Sequence, residues 1–256
     1  MAQEVVTAAR TPDTVRFNGS KEQYVQAMFA EIAPRYDLLN DLLSFRMHRK
    51  WRKLAVRLAG VSSGQTCLDV CTGTGAFAVD LARAVGTEGK VAGSDFCPPM
   101  IKAGLNTLQA ASHAPIRMTV GNTETLPFAT GVFDVVTVGF GIRNVESISS
   151  ALREMARVAK PGGKIVVLEF TRPEGVSPLI NWYLFHFLPW LGGLLSRRDA
   201  YNYLPQSMKS FVNRHELAQT MEQSGIDNIT VRSLNFGTVC IHIGTRNEAK
   251  QEAYSR

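Results

Sequence analysis

A chain of 256 residues, 45% of them hydrophobic, can bury about 70–75% of its unfolded surface and fold as one large domain, or one domain with a cap. The four cysteines (Cys67, Cys71, Cys97 and Cys240) form no C-x-x-C pair and the five histidines are scattered, which argues against a disulfide framework or a metal site and for reduced thiols in a cytoplasmic protein. The net charge of +6 suits an anionic partner, lipid or nucleic acid, and the amino-terminal stretch lacks the apolar core of a secretory signal.

Residues 1–17 are small, polar and aperiodic, and read as a disordered tail. Residues 18–60 read as a helical cap. Ser20 is placed to cap a helix running through Phe29, Pro34 interrupts, and a short apolar segment spans Tyr36 to Leu43. His48 to Leu58 is amphipathic, with Trp51, Leu54, Ala55 and Leu58 on one face. After the turn Ser62-Ser63-Gly64, strand patterns at 66–71, 90–95, 116–121, 132–139 and 164–170 are interleaved with helical patterns at 75–85, 98–111 and 147–159. Pro98 or Pro99 falls in the first turn of the second of these helices, and Lys160-Pro161-Gly162-Gly163 ends the third and turns into the next strand. Such alternation predicts a parallel α/β sheet with right-handed crossovers. The segment 171–214 is an insertion whose centre, 176–195, is the most apolar part of the chain. Pro178, Pro189 and Gly192-Gly193 interrupt it, so a helical lid and a buried core segment weigh equally against a membrane span. A helix at 215–224 follows, and then strand-like runs at 229–234 and 238–244. Their link, Asn235-Phe236-Gly237, permits only an antiparallel hairpin. Residues 61–246 thus read as one α/β domain with a mainly parallel seven-stranded sheet finished by an antiparallel carboxy-terminal pair, and 247–256 as a flexible tail.

The chemistry is concentrated in TCLDVCTGTGAFA (66–78), read with Asp95. A strand ends near Asp69, Gly73-Thr74-Gly75 turns sharply, a helix begins, and twenty residues past the loop a second strand closes on Asp95. Glycines let the backbone approach a ligand, and a carboxylate at the next strand end can accept both hydroxyls of a ribose. The chain therefore reads as binding an adenosine-bearing cofactor. Gly73 to Ala78 also satisfies G-x-G-x-x-G/A, so a nicotinamide dehydrogenase stays open. The antiparallel tail, the roughly sixty residues before the first strand and the lack of a hydride-transfer set count against it. Asn122, at the end of the third strand, is placed either to bond an adenine edge or to form a turn.

LDVCTGTG, SDFCPPM, GNTETLPF (121–128), FDVVTVGFGIRNV (133–145), LREMARVAKPGG (152–163) and LEF (168–170) resemble the class I methyltransferases that use S-adenosyl-L-methionine. With FAEIAPRYDLLNDLLSFRMHRKWR (29–52) and YNYLPQSMKSF (201–211), the likeness narrows to the ubiquinone/menaquinone biosynthesis C-methyltransferases (UbiE/MenG type) and covers roughly 20–246. The resemblance implies a Rossmann-like fold and cofactor contacts from Asp69, Gly73, Thr74, Gly75, Asp95, Phe96, Asn122, Thr123 and Gly139. Two positions depart from the family pattern: Ala76 stands where an acid is common, and Gly139 where a serine is common.

The resemblance also implies methylation of a ring carbon of a prenylated quinol, in menaquinone or ubiquinone biosynthesis. Arg143 and Asn144 would act at the sheet's carboxyl edge, with Tyr36 and His48 from the cap; arginine can stabilise a phenolate but is no simple base. His48 is a possible proton acceptor by its ordinary pKa, near 6.5. Tyr201 and Tyr203 either line the ring pocket or simply pack, and Met28, Met47, Phe185 and Phe187 suit a prenyl groove, although such residues are more often core. The basic run Arg46, Arg49, Lys50, Arg52, Lys53 and Arg57 is either a solvated helix face or a patch facing a membrane surface. No RNA module accompanies it, so a nucleic-acid partner is not expected. Peripheral attachment to the inner face of a membrane, a homodimer and a quinone-biosynthesis complex remain open. So do a different methyl acceptor, small molecule or RNA, and a non-catalytic cofactor-binding role.

Overall fold

The computed structural model describes residues 20–111, 114–172, 207–208 and 210–247. The tails expected at 1–17 and 247–256 and the lid expected within 171–214 fall almost wholly outside them, as do Phe185, Phe187, Tyr201 and Tyr203.

The cap consists of α1 (Lys21–Ile32), α2 (Tyr36–Leu43) and α3 (Met47–Leu58). Ser20 caps α1 as expected, its hydroxyl accepting from the Gln23 amide at 3.2 Å. The helix outruns its expected end at Phe29 because Pro34 does not break it there. The proline instead sits in the first turn of a 3-10 segment, Ala33–Arg35, where its missing N–H is not needed. Trp51, Ala55 and Val56 form the buried face of α3.

The remaining elements are β1 (Thr66–Val70), α4 (Ala76–Val85), β2 (Lys90–Asp95), α5 (Pro98–Ala111), β3 (Ile116–Val120), β4 (Phe133–Gly139), α6 (Ile148–Val158), β5 (Ala159–Phe170), α7 (Arg214–Gln223), β6 (Ile226–Leu234) and β7 (Val239–Arg246). They build one seven-stranded sheet in the order β3-β2-β1-β4-β5-β7-β6. Strands β1 to β5 run parallel, and β7 pairs antiparallel with both β5 and β6. The inner strands are buried on both faces, so they read as continuous apolar runs such as Val135, Val136 and Val138. One face packs on α3 and α4 through Trp51, Ala55, Phe77 and Leu81. The other packs on α6 and α7 through Leu152, Met155, Leu217 and Met221.

Two boundaries differ from the sequence expectation. Strand β5 begins at Ala159, opposite Phe133, and Lys160-Pro161-Gly162-Gly163 is a bulge before Lys164 pairs with Val135. The glycines make the bulge possible: Gly162 has φ +73°, and a Cβ on Gly163 would lie 2.8 Å from the Lys160 carbonyl. Strand β6 begins at Ile226, which is fully buried and pairs with Arg246; Asn228 at φ +52° then carries a register shift that looks like a turn in the sequence.

Candidate active site

Strand β1 lies between β2 and β4, so the chain leaves the sheet in opposite directions there and opens a crevice at the carboxyl ends. The loop from β1 to α4 is held tight. Cys71 (φ +50°), Gly73 (φ +58°) and Gly75 (φ +80°) are all left-handed. A Cβ on Gly75 would lie 2.6 Å from the Leu108 side chain, so α5 fixes the loop from outside. The Gly73 amide donates to Asp95 Oδ2 at 2.7 Å and the Cys97 amide to Oδ1 at 2.9 Å, which leaves lone pairs on both oxygens for a ligand. Asp95 is buried, and that burial raises its pKa.

Two cavities share a wall. The smaller, about 60 Å³, is bordered by Gly73, Asp95, Phe96, Asn122, Thr123 and Asn144. The larger, about 330 Å³, is mostly apolar and is bordered by Asp69, Thr74, His48 and Arg143 among others. Phe29, Tyr36, Cys71, Gly139 and Phe140 face both. Of the expected cofactor and catalytic residues, all but Gly75 border one cavity or the other; Gly75 borders neither and acts as the turn into α4.

Asp69 is almost wholly buried and accepts from the hydroxyls of Thr72 at 2.6 Å and Thr137 at 2.7 Å. Burial pushes its pKa up to about 7. The donor set therefore fits a nucleoside cofactor bearing positive charge: a carboxylate at the second strand end for ribose, and a carboxyl that gains from a nearby cation. Other expected contacts are turned toward the cap. The Thr74 hydroxyl donates to Asp37 at 2.7 Å, and the Asn122 amide donates to Glu22 at 3.1 Å while its oxygen accepts from the Glu124 amide at 2.9 Å. The Thr123 hydroxyl meets Cys71 Sγ at 3.2 Å. Gly139 is explained by packing, since a Cβ there would lie 2.8 Å from the Phe77 ring.

Arg143 and Asn144 lie in a 3-10 turn, Ile142–Asn144, just past β4. Arg143 Nη1 donates to Phe140 O at 2.5 Å and to Glu169 Oε1 at 2.6 Å. Its amide also donates to Glu169 Oε2 at 3.3 Å, and its guanidinium stands 5.6 Å above the Phe170 ring. The guanidinium thus ties its own loop to β5 while bordering the larger cavity, and Nε has no hydrogen-bond partner among the described residues. Glu169 is fully buried; burial raises its pKa and Arg143 opposes the rise. Sequence reasoning passed over Glu169, although an acid inside the apolar strand KIVVLEF was a visible signal. It also passed over the rings of Phe140 and Phe170, 4.9 Å apart, with Trp51 6.1 Å from Phe140.

Tyr36 is half-buried between Phe29, edge-on at 6.0 Å, and the two cavities; desolvation raises its phenol pKa. His48 corrects an expectation. It borders the larger cavity and meets Ser44 Oγ at 2.6 Å through Nδ1. Burial, aided by Arg52, lowers its pKa to about 4. The imidazole is therefore neutral, forms no ion pair with Asp41 at 3.6 Å, and is a poor proton acceptor near neutrality.

With this geometry in view, the comparisons are specific. A demethylmenaquinone methyltransferase of Bacillus cereus (strain B4264) is 37% identical over 90% of this chain and 99% of its own. Solved structures share the fold at lower identity. An S-adenosylmethionine-dependent methyltransferase from Aquifex aeolicus aligns with TM-score 0.56 and 19% identity over 76% of this chain and 88% of its own. A possible histamine N-methyltransferase from Thermotoga maritima aligns with TM-score 0.62 and 17% identity over 86% of this chain and 98% of its own. The profile of the ubiE/COQ5 methyltransferase family matches residues 17–246, nearly all of the described structure, and the chain belongs to that family.

Proposed function

We propose that the protein uses S-adenosyl-L-methionine to methylate a ring carbon of a prenylated quinol. One observation carries the reading: a cleft ending in Asp95 and an apolar, aromatic cavity meet at a common wall beside Arg143. The name of the Bacillus relative favours demethylmenaquinol over a benzoquinol as substrate.

Bound against the glycine loop, the cofactor supplies an electrophilic methyl group with its own leaving group. The chain's part is alignment, exclusion of water and control of charge. Asp95 takes the ribose hydroxyls, and Phe96, Asn122 and Thr123 border the adenosine end. Trp51, Phe140 and Phe170 receive the ring, and Met28, Ile32, Leu39 and Leu43 the start of the tail. The Arg143 guanidinium, a cation beside a cavity of low polarity, favours phenolate over phenol. Loss of the phenolic proton to water at the cavity mouth makes the ortho carbon nucleophilic; after that carbon has taken the methyl group, its own hydrogen leaves as a proton, again to water, and the ring regains aromaticity. Glu169 holds the guanidinium in place from one edge, while Tyr36 and Asn144 close the wall between ring and cofactor. Such a substrate lives in lipid, so the reading carries peripheral membrane association with it.

Calorimetric titration with S-adenosylmethionine and, separately, NADH tests the cofactor; saturable binding of NADH alone would sink the proposal. Arg143→Ala should cut turnover of a demethylated prenyl quinol by about 100-fold or more while leaving cofactor affinity within about twofold. Unchanged turnover removes Arg143 from the reaction.

A further inference from the structure

Two turns at the rim of the larger cavity share an unusual construction. Between α2 and α3, Phe45 and Arg46 both adopt left-handed backbone, φ +48° and +59°. Between β6 and β7, Asn235 and Phe236 do the same, φ +46° and +57°. Such conformations are unfavourable for side chains branching from an L-residue, and here each turn presents a phenylalanine to the outside. Phe45 is 69% exposed and Phe236 79% exposed. Phe45 and Asn235 both border the cavity, so each turn carries a residue of its lining.

The apolar tips are not isolated. Leu38 and Leu42 lie on α2 one turn apart and Phe45 continues their row, all of them exposed. Beside that row runs a stripe of charge. Arg46 stands just before α3, and Arg49, Lys50, Lys53 and Arg57 recur at helical spacing along it, on the face away from the buried Trp51 and Ala55; all five are exposed. Asp41, which meets Arg46 at 3.7 Å and Arg49 at 2.5 Å, is the acid set among them.

We propose that these two phenylalanine-tipped turns and the α3 cationic stripe form one docking surface for an anionic lipid bilayer, which seats the cavity mouth on the membrane. The chemistry commits to lipid: aromatic tips and leucines suit the headgroup–acyl boundary, and adjacent cations suit anionic headgroups. A tail entering from the bilayer then reaches the cavity without crossing water. The proposal rests on the prenylated-quinol reading for its purpose, but not for its geometry.

The test uses the full chain and a variant carrying Lys50→Glu, Lys53→Glu and Phe236→Ser, none of which borders the cavity. Each is sedimented with vesicles of phosphatidylcholine alone and of phosphatidylcholine with phosphatidylglycerol at about 30 mol%. The wild type should bind the anionic vesicles and be released by salt, and the variant's partition should fall by at least about tenfold. The variant should keep its turnover of a short-tailed quinol in solution and lose turnover of a long-tailed quinol presented in anionic vesicles. Wild-type protein that ignores anionic vesicles, or a variant that binds them as well as wild type, overturns the surface. Vesicle binding with no methylation of any quinol leaves the surface standing and removes the substrate reading.

Discussion

At the residue scale, Asp69 has the most to say about pH. Its folded pKa, about 7, lies above the ordinary carboxyl value, so the folded chain holds more protons than the unfolded one between about pH 4 and pH 7. The stability this group contributes is complete below about pH 4 and is lost as pH rises through 7. A cation in the cavity reverses the burial effect and drives the proton off. Binding of S-adenosylmethionine at pH 7 should therefore release about half a proton, and almost none near pH 9. Calorimetry in buffers of different ionisation enthalpy reads this directly, and Asp69→Asn should abolish the buffer dependence. A wild-type heat independent of buffer would mean that no cation approaches Asp69. Asp69 and Asp95 were legible in the sequence because strand ends and glycine turns mark them locally. The Glu169–Arg143 bond was not, because 26 residues separate the partners and only the pairing of β4 with β5 brings them together.

At the element scale, one departure from the family pattern, Gly139, is a matter of packing. Gly139 ends β4 where α4 presses the Phe77 ring against the sheet. The serine that the resemblance places here has no room for its Cβ. Gly139→Ser alone should cost about 1–3 kcal/mol, seen as a lower urea midpoint. Phe77→Leu in the same chain should recover part of that loss; if the double variant is no more stable than the single one, the ring is not the obstacle. Alternation of strand and helix could be read directly, because each periodicity is set by neighbours in sequence. The early starts of β5 at Ala159 and of β6 at Ile226 could not be read, because glycine, proline and asparagine mark a break whether or not pairing has already begun before it.

On the scale of the whole molecule, the cap is tied to the sheet at several loops. Lys21 donates to the carbonyls of Arg143 at 3.2 Å and Val145 at 2.6 Å, Gln26 to that of Phe96 at 2.7 Å, and Asp37 and Glu22 hold Thr74 and Asn122. These bonds join residues 37 to 124 positions apart, which no local pattern announces. They are polar and lie near solvent, whereas β1, β4, β5 and β7 are buried on both sides. Native-state hydrogen exchange should show the central strands opening only with global unfolding, and α1 and α2 opening at lower free energy. Adding S-adenosylmethionine should slow exchange in α1 and α2 selectively; equal slowing everywhere would mean that the cap is no gate. Strand β7 adds an order to biosynthesis. It is the last of the described strands to be translated, yet it sits between β5 and β6, and Cys240 pairs with Glu169. While a ribosome is still adding residues beyond β6, the edge of β5 that carries Glu169 is bare and β6 has no partner. The edge of the strand that carries the Arg143 partner is covered only once β7 has emerged, so a nascent chain completes the surroundings of the Arg143–Glu169 pair only after β6 and β7 have been made.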